Sequence, residues 1–389
     1  MIDSSRFLCQ RVMEIPPSGI RKFFDLVAST PGVISLGVGE PDFVTPWHVR
    51  EACVHSLSQG YTMYTSNKGL LELRDELTKF ILNEYSLEYC PENEILVTVG
   101  ASEGVDLAIR SIIDPGDEVL VIEPSYVSYK PCVTLAGGIP VAVQTDEEYS
   151  FKLQPHQISK AITPKTKAII FCYPNNPTGG IMDKSDLEAI ADIIIDNDLL
   201  VISDEIYSKL TYSQDHVSIA TLPEMRERTI VLNGFSKAQA MTGWRIGYAF
   251  GPEPLIASMV KIHQYTMLCA PIMGQKAALE SLKNGKDQII GMYHEYDKRR
   301  RLVYNSFNDI GLPCFEPEGA FYIFPNITKT GLSSEEFAEE LLNEEKVAVV
   351  PGTAFGLGGE GHIRCSYASS IANLVEAMKR IETFVKNRI

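Results

Sequence analysis

The sequence has no two cysteines in a C-x-x-C pair, and its seven histidines include no His-Glu-x-x-His. Zinc modules, thioredoxin-like redox motifs and helix-borne metal sites therefore have no support in it. The eight cysteines are scattered from Cys9 to Cys365 and read as reduced structural thiols. No apolar run approaches the roughly 20 residues of a membrane span, and Met1 to Arg6 lack a signal-peptide pattern. The expectation is a cytoplasmic protein with no membrane partner. Basic residues are outnumbered too: 35 Lys and Arg face 50 Asp and Glu, for a net charge of −15. That balance argues against nucleic acid as a partner. An anionic small molecule needs only a local cluster of donors, which an acidic chain can still build.

At 389 residues the chain is long enough for two lobes. Residues 1–46 read as an irregular arm, with Pro16-Pro17-Ser18-Gly19 and one short strand near Ile34. Helical periodicity follows over 47–58 and 70–85, the latter with Leu70, Leu73, Leu77, Phe80 and Ile81 on one face. From residue 95 strands and helices alternate, the signature of an α/β sheet. Strands are expected at 95–99, 118–122, 139–143, 168–173, 199–203, 229–233 and 246–250, most of them apolar throughout, as for strands covered on both faces. Helices near 102–113, 126–136 and 183–197 supply crossovers. Beyond about 255 come long helical segments, 253–283 and 288–310. A smaller α+β unit follows, with strands at 320–324, 347–350 and 362–367 and helices at 334–345 and 371–386. The expected division is a large domain over 47–285 and a small one combining 1–46 with 286–389.

The residues suited to chemistry stand at strand ends. Lys237 follows the run Thr229 to Asn233, at the carboxyl edge where α/β sheets bind ligands. A lysine that is to form a Schiff base needs burial or nearby cations to lower its pKa, and Arg245 is eight residues on. Gly100-Ala101-Ser102 opens a helix after a strand, a turn whose free amides suit either an ordinary cap or a phosphate. Tyr126 follows the next strand and could pack in the core or stack on a planar ring. Asn176 lies in the breaker-rich Pro174-Asn175-Asn176-Pro177-Thr178-Gly179, either a turn former or a donor to a ligand oxygen. Asp204 and Glu205 both end a buried strand, where a carboxylate must be paired to stay ionised. Arg364, in a largely apolar strand, calls for an anion, either an internal carboxylate or a ligand's. The G-x-G-x-x-G of 356–361 precedes a strand rather than following one, so it reads as a loop.

Taken together, Ser236-Lys237 with Met241-Thr242-Gly243-Trp244-Arg245-Ile246-Gly247, Asn176-Pro177-Thr178-Gly179 and Asp204-Glu205-x-Tyr207 resemble the pyridoxal-phosphate aminotransferases of fold type I, in the aromatic and aspartate branch. The motifs occur in family order between about residues 30 and 385. The resemblance implies pyridoxal 5'-phosphate held by Lys237, with its phosphate on Gly100, Ala101, Ser102, Ser236 and Arg245. Many relatives carry serine three residues before the lysine, where this chain has Gly234. The resemblance further implies Tyr126 stacked on the ring, Asp204 at its nitrogen, and Asn176 and Tyr207 at its 3-oxygen. Arg364 would bind the substrate carboxylate beside Gly39, and Tyr64 would reach the phosphate of a second subunit, making a homodimer with composite sites. The implied reaction moves an amino group from an aromatic amino acid, aspartate or a related donor to a 2-oxo acid. A C–S β-lyase is the alternative enzyme reading. A regulatory module of the same fold would need a DNA-binding extension.

Overall fold

Seven of the apolar runs pair into one sheet. In the computed structural model, which describes residues 4–17, 19 and 31–389, a short β1 (Ile34–Ser35) precedes β2 (Ile95–Thr98), β3 (Glu118–Glu123), β4 (Ile139–Gln144), β5 (Thr166–Cys172), β6 (Leu200–Asp204), β7 (Thr229–Gly234) and β8 (Gly247–Phe250). Of the expected N-terminal arm, residues 1–3, 18 and 20–30 lie outside the described residues. The strand order is β2-β8-β7-β6-β5-β3-β4. β8 alone runs opposite to the other six strands. The α/β class and the mostly parallel seven-stranded sheet are as expected.

Alternate residues of each strand face opposite layers, because side chains on a strand change sides at every step. Leu96, Ile202, Ile230 and Leu232 pack on Val105, Ala108 and Ile109 of the helix Gly100–Ile112. On the other face Val97, Val231 and Phe250 meet Leu73, Leu77 and Ile81 of the helix Leu71–Tyr85, while Ile169, Phe171 and Val201 meet Leu187, Ile190 and Ile194 of Lys184–Asp196. A further cluster gathers the helices Lys286–Ile310, Ser334–Glu345 and Ile371–Lys386 around β9 (Tyr322–Ile323), β10 (Val347–Ala348) and β12 (Ile363–Ser366), while Val350 of β11 (Val350–Pro351) packs with Phe151, Phe324 and Phe355. It reaches Ile206, Tyr207 and Ala240, which stand at the end of the large sheet.

Several expected boundaries change, each for a local reason. The segment 253–283 is two helices, Glu253–Thr266 and Ile272–Asn284, because Leu268 takes φ +70° and Pro271 caps the second. The strand expected at 320–324 shrinks to β9, since Ala320 has φ +57°. The single strand expected at 347–350 becomes β10, parallel to β1, and β11, antiparallel to β12. The helix Pro155–Ala161 was not anticipated, being too short to show a period, although Gln157 accepts from the Gln154 amide at its start. Residues 356–361 form a turn-rich loop ahead of β12, as read.

The topology decides where chemistry can occur. The carboxyl ends of the parallel strands share one edge, and β8, being reversed, starts there. Residues 100–102, 126, 176, 204–207 and 236–237 follow strands at that edge, and Arg245 immediately precedes β8.

Candidate active site

At this edge lies a cavity of about 790 Å³. Every residue given a site role by the resemblance lines it except Gly100 and Tyr64. Gly100 lies just behind the wall: a Cβ there would come 2.5 Å from Arg245 Nη2, and its φ of +76° also favours glycine. Tyr64 is 81% exposed and stands away from this cavity.

One corner is rich in donors. The first amides of the helix Gly100–Ile112 have no intrahelical acceptor. Beside them stand the Ser102 and Ser236 hydroxyls and the Arg245 guanidinium, which donates to the Thr242 carbonyl at 3.0 Å. β8 passes so close that a Cβ on Gly247 would lie 2.5 Å from the Ala101 nitrogen. Gly234, where serine was noted as the commoner residue, has little room: its Cβ would lie 3.0 Å from Gly247 Cα. Ser236, two residues on, lines the cavity.

Across the cavity Asp204 is buried and accepts from the Tyr129 hydroxyl at 2.7 Å and the Ile206 amide at 3.3 Å. Burial raises its pKa to about 6, against the opposing effect of the Tyr129 bond. Glu205 beside it accepts from Ser203 and Ser218, with His216 Nε2 at 2.9 Å. Of the two adjacent carboxylates, only Asp204 lines the cavity.

Lys237 Nζ donates to the Gly39 carbonyl at 2.6 Å. Burial, then the Arg364 charge, lowers its pKa to about 8, with Arg245 adding to this and Glu40 and Asp204 opposing. Arg364, only 2% exposed, donates to Asn176 Oδ1 at 2.8 Å and to the Gly37 carbonyl at 2.5 Å. Its Nε has no partner, and among the described residues no carboxylate pairs with it. The Tyr322 and Phe355 rings flank it at 4.5 and 4.7 Å. A guanidinium kept this dry without a counter-ion is set for an anionic ligand.

Sequence reasoning missed two of these residues. Neither Tyr129, the first residue of the helix Tyr129–Ala136, nor Tyr322, in β9, is singled out by the sequence. Tyr322 stands between Phe321 and Ile323, with no polar neighbour in sequence to mark it.

Residues 31–381 match the family described as aminotransferase class I and II. The chain belongs to that family. This aminotransferase is 46% identical to an aspartate aminotransferase of Pyrococcus abyssi over 384 residues, covering 98% of this chain and 99% of that one. It is 44% identical to aromatic-amino-acid aminotransferase 2 of Thermococcus litoralis over 384 residues, with the same coverage. The solved structure of Thermus thermophilus aspartate aminotransferase with maleate superposes with a TM-score of 0.92 at 39% identity, over 97% of this chain and 99% of that one. The protein is accordingly a transaminase with the fold type I architecture, and the β-lyase alternative is not favoured. Among the described residues no helix is long and apolar enough to cross a membrane, and no cluster of His, Cys, Asp or Glu is arranged for a metal ion.

The lowered Lys237 pKa gives a pH signature. Only the neutral amine reacts with an aldehyde or acylating reagent, so labelling of Lys237 in cofactor-free enzyme should rise with pH about a midpoint near 8. Arg364→Met removes a repelling cation and should move the midpoint up. Peptide-resolved labelling across pH checks both; a midpoint near the ordinary lysine value of 10.5 in the unsubstituted enzyme contradicts the reading.

Proposed function

We propose that this aminotransferase uses pyridoxal 5'-phosphate bound through Lys237 to move the amino group of an L-amino acid to a 2-oxo acid such as 2-oxoglutarate. The observation that carries this is the buried, carboxylate-free Arg364 facing the same cavity as a lysine of lowered pKa. The residues fit the group: amides of Gly100, Ala101 and Ser102 with Ser236 and Arg245 at the phosphate, Tyr126 on the ring, Asp204 at its nitrogen, and Asn176 and Tyr207 at its 3-oxygen. When bound, the cofactor supplies an electron sink for the charge left as the α-proton departs. Asp204, its pKa raised by burial, gains in a protonated ring nitrogen the cation that favours its ionised form. Arg364 and Asn176 orient the substrate α-carboxylate beside Gly39. Lys237 Nζ takes the α-proton and returns it as general acid–base. The two half-reactions share one site, so the amino acid and the oxo acid use the same carboxylate clamp.

Donors named for the relatives, aspartate and aromatic amino acids, are the first candidates here. The enzyme works as a cytoplasmic homodimer, in which each site takes Tyr64 from the other chain. The exposure of Tyr64, and its absence from the lining of its own cavity, support that arrangement. The core clusters support a large domain over 47–285 and a small one from 1–46 and 286–389, with the site at their seam.

A donor panel with 2-oxoglutarate, run with and without acceptor, tests the reaction. Amino transfer that needs the acceptor is expected; oxo acid released without one favours the lyase. Arg364→Lys keeps a cation but loses the planar fork, so KM should rise about 10- to 100-fold for donors and acceptors alike. The cofactor's visible absorbance should stay unchanged. An unaltered KM would place the carboxylate elsewhere.

For the dimer, inactive Lys237→Ala is mixed with inactive Tyr64→Asp. In a heterodimer one site carries both defects and the other neither, so activity should recover towards half the unsubstituted value per heterodimer. Verified subunit exchange without recovery means that Tyr64 serves no site across an interface.

A further inference from the structure

The hydroxyls of Tyr207 and Tyr322 lie 2.8 Å apart in the buried wall of the cavity. Tyr322 comes from β9, where it is paired with Ser366 of β12, the strand that also carries Arg364. Tyr207 follows β6 at the end of the large sheet. The contact therefore ties the carboxylate clamp to the group placed at the cofactor's 3-oxygen. It is also tightly set. A Cβ on Gly39 would lie 2.3 Å from the Tyr322 hydroxyl oxygen, and the Tyr322 ring stands edge-on to Tyr207, with centroids 5.7 Å apart.

Each hydroxyl has one proton, so the pair must choose a direction. The Arg364 guanidinium over the Tyr322 ring favours that phenol as the donor, since a nearby cation makes it the more acidic of the two. If Tyr322 donates to Tyr207, the Tyr207 proton is left free to point into the cavity. A donor that itself accepts a hydrogen bond becomes a stronger donor.

Resting on the proposed cofactor chemistry, we propose that Tyr322 is a positioning residue that acts through Tyr207. It fixes the direction of the Tyr207 proton and strengthens its donation to the cofactor's phenolic oxygen. That donation favours the form of the bound chromophore whose oxygen is not already satisfied internally by its own proton. Weakening it should hold the proton on the chromophore to higher pH.

The test is a pH titration of visible absorbance in four holoenzymes: unsubstituted, Tyr322→Phe, Tyr207→Phe and the double variant. Tyr322→Phe should raise the spectral midpoint, changing the ionisation constant by ~2- to 4-fold, as for loss of a cooperative contribution. In the Tyr207→Phe background the same change should leave the midpoint where it is, since the effect passes through Tyr207. Gly39→Ala offers a second route: it displaces the Tyr322 hydroxyl, and it too should raise the midpoint only when Tyr207 is present. A merely structural Tyr322 would raise KM or lower thermal stability with the midpoint unmoved. An unmoved midpoint, or an equal shift with and without Tyr207, overturns the proposal. Absence of any visible band in the unsubstituted enzyme is a different failure, that of the cofactor reading itself.

Discussion

Arg364 is a cation held in a dry interior with no carboxylate partner among the described residues, and the site is arranged around that fact. Desolvating a guanidinium is costly, and an unpaired one persists only where the surroundings hold it. Here Asn176, the Gly37 carbonyl and two aromatic rings do so, leaving Nε unpartnered. The same charge acts at a distance. It is the second largest cause of the lowered Lys237 pKa, after burial, and it biases the Tyr207–Tyr322 pair. A carboxylate placed at Arg364 would cancel part of the repulsion that favours the neutral Lys237 amine.

Sheet topology makes this coupling geometrically available. Parallel strands bring Asn176, Asp204, Tyr207 and Lys237 to one edge, and reversal of β8 returns Arg245 to it within eight residues of the lysine. The price is steric, and glycines meet it. Gly247 lets β8 pass against the donor-rich turn, Gly100 leaves room for Arg245, and Gly39 leaves room for Tyr322. The negative surface and the local cluster of donors are compatible because the cluster needs only the helix start, two hydroxyls and one arginine.

Much of this could be read from the sequence. The apolar strand runs were clear because both faces of the sheet are covered, and Lys237 and Arg364 stood out as charges next to such runs. Asp204 and Glu205 could not be separated by residue type, since both are buried acids; their surroundings separate them, Asp204 lining the cavity and Glu205 bonded to Ser203, Ser218 and His216. Tyr129 and Tyr322 were hidden for the opposite reason, because nothing in the sequence shows which partner a buried tyrosine hydroxyl will find. The break after Thr266 was missed because helical periodicity on either side of Pro271 masks a five-residue turn. Tyr64 was flagged through resemblance alone, and its exposure fits a role at an interface rather than in its own cavity.

The central claim is that Lys237 is the residue that holds the cofactor. Borohydride reduction of the enzyme loaded with pyridoxal 5'-phosphate, followed by peptide mapping, tests it directly. The account expects a single pyridoxyl modification, on the peptide carrying Ser236-Lys237. A label on a different lysine, or none despite bound cofactor, would contradict it.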